Sequence, residues 1–141
     1  MSFYLDTSFV VSAFSKETRS LEALAWLDSH IGLDFYTSGW VSTEFASAIS
    51  LKIRTGQFNS ADLSNLQNEW TAFRSSNLRN VVIDNSDYEL AAQMIFASNT
   101  GLRSGDALHL AICQRIGARI VTFDNGLDRA ANQFDIPSTI P

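Results

Sequence analysis

An α/β/α sandwich with a mainly parallel central sheet is the fold this sequence predicts, and three observations carry that prediction. Short apolar runs alternate with stretches of helical periodicity from one end of the chain to the other. Two of those runs, the FYL before Asp6 and the IVTF before Asp124, stop at an aspartate, as strands do when they turn into a helix. No repeat or Pro/Gly-rich linker interrupts the 141 residues, so residues 1–141 read as one domain. Four to five short strands with long helices between them give three layers.

In chain order, Phe3-Tyr4-Leu5 reads as a buried strand and Thr7-Ser8 turns it into a short helix that opens on Phe9-Val10-Val11. A second helix is expected to bury a stripe of Leu21, Leu24 and Leu27, with His30 in its terminal turn, facing the helix dipole or solvent. Asp34 to Thr37 is the next strand, and Trp40 to about Arg54 a long helix with Val41, Phe45, Ala48 and Ile49 on its apolar face. Asn59-Ser60 caps a helix whose Leu63, Leu66, Trp70 and Phe73 follow helical spacing. Val81-Val82-Ile83 reads as a third strand, followed by a helix opened by Asp84 or Ser86 and carrying Tyr88, Leu90, Ala91, Met94 and Ile95. Gly105 to Ile116 is a largely apolar, buried helix, and Arg119 to Phe123 the fourth strand. A short helix near Leu127 to Asn132 precedes a tail, Phe134 to Pro137, able to add an edge strand.

Composition narrows the classes. Cys113 stands alone in an apolar helical pattern, which excludes an internal disulfide and suits a core position in a reducing compartment. No run approaches the ~18 apolar residues of a membrane span, and no leader pattern is visible, so a cytoplasmic protein is expected. The net charge of −5 argues against nucleic acid if Lys and Arg must neutralise phosphate, but not if the acids gather divalent cations that face the phosphate instead.

Four acids suggest the second case. Asp6 and Asp124 close strands that emerge at one edge of the sheet, where open α/β folds bind ligands. Asp106 begins the buried helix leading to the Asp124 strand, and Glu44 lies early in the helix after the second strand. Each has an ordinary structural role available, as a helix cap or a solvated acid. Together and unmatched by Lys or Arg they would repel, and magnesium or manganese, which take carboxylate and water oxygens, would resolve this. His and Cys are not spaced as a zinc set. Two ions about 3.5–4 Å apart would support in-line phosphoryl displacement. Thr7, Ser8 and Thr122 are hydroxyls suited to holding the aspartates or their waters. His109, one turn after Asp106, reads as an orienting residue within reach of it rather than a ligand, and Asp128 as a solvated acid. Arg103, Lys52 and Arg54 are candidate phosphate contacts.

SFYLDTS, VSTEFA, LRSGDALHLA and IVTFDNGLDRAA, in that order, resemble the PIN domain, particularly toxins of the VapC group from VapBC toxin–antitoxin pairs. The family's acidic positions fall on Asp6, Glu44, Asp106 and Asp124, and its hydroxyls on Ser8 and Thr122. The resemblance implies a Mg2+- or Mn2+-dependent endoribonuclease that cuts a structured RNA to arrest translation. It also implies a VapB-like antitoxin as partner and a homodimer, to which aromatics left exposed on the Asn59–Arg74 helix would contribute. Asp6, Asp106 and Asp124 would bind metal, and Glu44 would bind a second ion or orient water. A PIN-domain RNA-processing nuclease outside the toxins, and a non-catalytic PIN-like binding module, remain open. A haloacid-dehalogenase-like phosphatase would need an Asp where Ser8 stands, and a response-regulator receiver would need paired acids after the first strand.

Overall fold

The computed structural model describes residues 1–141. Five strands, β1 (Ser2–Leu5), β2 (Asp34–Ser38), β3 (Leu78–Val81), β4 (Arg119–Val121) and β5 (Ser138–Thr139), form one parallel sheet in the order β3-β2-β1-β4-β5. The helices are α1 (Thr7–Phe14), α2 (Ser20–Ser29), α3 (Gly39–Arg54), α4 (Leu63–Asn77), α5 (Asn85–Ala97), α6 (Ser104–Ile116) and α7 (Asn125–Gln133). The chain steps outward from β1 through β2 to β3, then returns to lay β4 on the other side of β1. Right-handed crossovers therefore put α1–α4 on one face and α5–α7 on the other. Alternation along β1 agrees with this: Phe3 meets Trp26 of α2 edge-on, while Tyr4 turns the opposite way to His109 of α6. The α/β sandwich is the predicted one.

β1 and α6 are the buried centre. Tyr4, Leu5, Leu110, Ala111 and Ile112 are fully enclosed, as is Cys113. The α4 stripe forms as its spacing predicts, and its aromatics are spent inward: Trp70 packs against Phe14 and Phe45, and Phe73 against Phe14. They are not left over for a dimer contact. No helix is long and apolar enough to cross a membrane.

Four elements differ from expectation. In α2, Leu21 and Leu24 are 80% and 44% exposed, because the face that docks is set by Trp26, whose ring meets Phe3, Phe9 and Phe35. Ala23 and Leu27 turn inward with it, and His30 stacks on Trp26 and donates from Nδ1 to its carbonyl. The third strand is 78–81, not 81–83: β3 is an edge strand, so polar Arg79 and Asn80 are tolerated there, and the chain leaves the sheet with Val82 79% exposed. In α5, Tyr88 is 54% exposed and the inward position belongs to Asp87. The last strand lies at 138–139, beyond Phe134–Pro137, where Ile136 instead fills the core.

Asp87 is one acid that pattern reading passes over. It closes a capping box with Asp84 and receives Arg115 of α6 through Nε at 2.7 Å and an Nη at 2.8 Å, and that same Nη also reaches the Val82 carbonyl at 2.9 Å. Burial acts to raise the Asp87 carboxyl, but the Arg115 bonds and the Asp84 amide outweigh it and hold the group below its ordinary 3.8. Asp87→Ala should cost about 2–3 kcal/mol at pH 7, less than a fully enclosed pair because Arg115 is 35% exposed on its side chain. A depressed carboxylate contributes stability above its unfolded value and loses it on acidification. The gap between variant and unmodified protein in urea titrations should therefore narrow as pH falls below about 4.

Candidate active site

β1 and β4 are neighbours although most of the chain separates them, and the direction of winding reverses between them. The crevice at their carboxyl ends is the topological switch point, where ligands of open α/β sheets bind. Asp6 follows β1 there and is 3% exposed. It caps α1 through the Phe9 amide at 3.0 Å, and accepts from the hydroxyls of Ser8 at 2.8 Å and Thr122 at 2.9 Å. Each hydroxyl also accepts a backbone amide of the β4 loop, Ser8 from Phe123 at 3.0 Å and Thr122 from Asp124 at 2.9 Å. Asp6 is thus both a helix cap and the floor of the crevice, and it locks the two strand ends together.

Asp124 caps α7 with Oδ1, which accepts from Gly126 and Leu127, and its other oxygen meets no protein donor. Asp106 stands in the first turn of α6 and neither of its oxygens has a protein hydrogen-bond partner. It is not the cap, since Arg103 holds that position without a side-chain bond. Gly105 sets how closely α6 approaches α3: a Cβ there would lie 3.0 Å from Glu44 Oε2 and 3.3 Å from the buried Trp40 Nε1.

Glu44 is held from behind. Thr7 donates to its Oε1 at 2.7 Å, and His109 Nε2 reaches the same oxygen at 2.5 Å. His109 Nδ1 lies 2.9 Å from the Tyr4 hydroxyl, itself 2.7 Å from the Ser38 hydroxyl. An ionised carboxylate only accepts, so Nε2 must carry a proton, and a neutral ring then takes the Tyr4 proton at Nδ1. The run Ser38–Tyr4–His109–Glu44 therefore carries hydrogen-bond polarity from inside the sheet to the crevice.

Asp6, Glu44, Asp106 and Asp124 line one cavity of about 350 Å³, with Glu17 at its margin. Lys52 is the one Lys or Arg on that wall, and it is already bound to Glu17 at 2.8 Å. Burial pushes Asp6 from its ordinary 3.8 up to about 6, restrained by His109, the Phe9 amide and the two hydroxyls. Burial also raises Asp106, helped by the charges of Asp124 and Glu44 and opposed by His109 and Arg103. For Glu44 burial acts upward too, but the His109 and Thr7 bonds outweigh it and hold the group below the usual carboxylate value.

No three acid, His or Cys side chains stand together in liganding geometry. The donor set nevertheless fits a hard divalent cation held largely through water. Asp106 and one oxygen of Asp124 are unspent, and the charges of Asp124 and Glu44 add to burial in raising Asp106.

The four predicted acids thus meet at one crevice, and Ser8 and Thr122 bond to Asp6. His109 does not reach toward Asp106 as expected, since α6 directs it across to Glu44 on α3. Asp128 is half-buried, accepts the Ser138 hydroxyl and does not line the crevice. Lys52 lies at the cavity but is tied to Glu17. Arg54 belongs to another cleft, of about 460 Å³ between α3 and α4, which holds no carboxylate. Tyr4 and Glu17 were missed: one reads as a core aromatic, the other as loop, and nothing local marks either. Arg129, at the neighbouring cleft, carried a helical position and no other signal.

A family model described as PIN domain matches residues 3–133. No curated protein sequence matches this chain. Among solved structures, FitAcB from Neisseria gonorrhoeae superposes with a TM-score of 0.67 at 19% identity, covering 99% of this chain and 97% of that one. VapBC2 from Rickettsia felis, bound to a DNA fragment from its promoter, gives 0.70 at 17% identity, covering 99% and 98%. VapC20 from Mycobacterium tuberculosis, described as a Sarcin-Ricin loop cleaving toxin, gives 0.70 at 19% identity, covering 91% and 94%. At these identities the likeness is one of fold.

Two measurements check the geometry. A carboxyl raised from 3.8 to about 6 favours the folded state at low pH and loses that contribution as pH rises through this window. In EDTA, Asp6→Asn should raise the Tm at pH 8 by several degrees, within a ceiling of about 3 kcal/mol, and give no gain at pH 4. The nitrogen NMR signals of His109 should show the Nε2-protonated tautomer while the ring is neutral, and Glu44→Gln should shift them; an Nδ1-protonated ring would contradict the stated polarity.

Proposed function

The chain belongs to the PIN domain family, and we propose that it is a divalent-metal-dependent endoribonuclease acting as the toxin of a type II toxin–antitoxin pair. One observation carries the reading: four carboxylates from distant segments line a single crevice at the switch point, with its one lysine already neutralised. Burying acids together without a cation costs stability, and phosphodiester hydrolysis supplies a reason to keep them. The structural neighbours, VapBC2, a Sarcin-Ricin loop cleaving toxin and a toxin–antitoxin complex from Klebsiella pneumoniae among them, support the toxin assignment.

Asp106, Asp124 and Asp6 would hold the cation, with Glu44 holding a second or orienting water. A divalent cation there supplies Lewis-acid polarisation of a phosphodiester and offsets the carboxylate charge. Asp106 and Asp124 bring the oxygens left free by the fold. Asp6 contributes a carboxylate whose position is fixed by three donors. Thr7 and His109 occupy Glu44 Oε1, which leaves Oε2 as the oxygen able to take a proton from, or align, an attacking water. Ser8 and Thr122 act through Asp6 by holding it. The acidic crevice also suits a basic segment of an antitoxin, and a homodimer belongs to the same proposal.

Asp6→Asn and Asp106→Asn should each lower RNA cleavage by at least about a hundredfold, EDTA should abolish it, and Mn2+ should raise the Tm of the unmodified protein but not of Asp106→Asn. Cleavage at the unmodified rate by either variant would refute the reading. Absence of any Mn2+ stabilisation would favour a non-catalytic module.

A further inference from the structure

Beside the acidic crevice lies a second cleft, of about 220 Å³, on the far side of Asp106 and Asp124, which line both. Its other charged walls are Arg103, just before α6, and Arg129 on α7. Both arginines are exposed, and neither forms an ion pair or a hydrogen bond with the protein. That sets them apart from six of the other eight Lys and Arg side chains. Arg19, Lys52, Arg79 and Arg115 are paired with acids, and Arg74 and Arg119 donate to Ser42 and to the Ser138 carbonyl. Of the remaining cations, Arg54 lines the α3–α4 cleft and Lys16 a small pocket with Asp62 and Glu69. Arg129 folds back over the first turn of α7, where a Cβ on Gly126 would lie 3.9 Å from its Nη2 and 3.1 Å from Asp124 Oδ1.

The geometry points to this cleft as the seat of a backbone phosphate of the RNA strand next to the scissile one, gripped between the Arg103 and Arg129 guanidiniums. This rests on the nuclease reading and extends it to the substrate. A strand crossing an acidic crevice needs positive charge where it leaves the crevice, and a cation held by the acids acts only on the phosphate nearest to it. Guanidinium forks match phosphate oxygens two at a time, and these two are unspent. The contact is to backbone, so it positions the strand without reading its sequence.

The test measures binding and turnover separately. Anisotropy of a short fluorescein-labelled oligoribonucleotide, in Ca2+ in place of Mg2+, should show Arg103→Ala/Arg129→Ala weakening Kd about tenfold. The slope of log Kd against log salt should flatten by about 0.7, the value for one neutralised phosphate on a single strand. In Mg2+ the double variant should raise KM while kcat stays within about threefold, and Arg54→Ala, on the other face of α3, should change neither. A Kd within twofold of the unmodified value, an unchanged salt slope, or a collapse of kcat at constant Kd would each overturn the assignment. If the unmodified protein cleaves RNA but is indifferent to both arginines, only the cleft assignment fails. If the unmodified protein neither binds nor cleaves RNA, the nuclease reading fails and this inference with it.

Discussion

The structure depends on one buried carboxylate. Asp6 ends the central strand, starts α1, and is joined through two hydroxyls to the loop after β4. These bonds fix the spacing of β1 and β4, the adjacent strands whose outgoing connections diverge. Burial raises the acid to about 6, so its charge is held at a cost to stability. A charge retained where it costs stability points to use of that charge.

The remaining acids are supported unequally, and the inequality matters for chemistry. Asp106 is left without protein partners, Asp124 spends one oxygen on capping, and Glu44 is pinned through His109 by Tyr4 and Ser38. Free oxygens at the front and a fixed carboxylate at the back suit a site that must bind a cation yet keep one acid aligned. Basic residues are mostly tied down elsewhere, so the negative field of the crevice is not quenched from within.

Much of this was legible in the residues. Asp6 and Asp124 declare themselves because each ends an apolar run, and Asp106 because it interrupts a helix that is otherwise core. α4 follows its periodicity because all four stripe residues find partners. Other elements misled for identifiable reasons. Leucine spacing in α2 was overruled by one tryptophan with three aromatic neighbours, and the apolar Val81-Val82-Ile83 outshone the real edge strand, whose polar residues cost nothing there. His109 was given the right neighbourhood and the wrong partner, since helix spacing says which residues share a turn but not what faces them across a crevice.

Sequence by itself determined the parallel α/β sandwich and the identity of the acids, because strand and helix periods and strand-ending aspartates are local signals. Tertiary structure alone decided that Glu44 is held by His109, that Asp87 is locked to Arg115, and that two arginines stand free beside the acids. Each of those is a meeting of side chains from separate elements, set by how helices dock on the sheet.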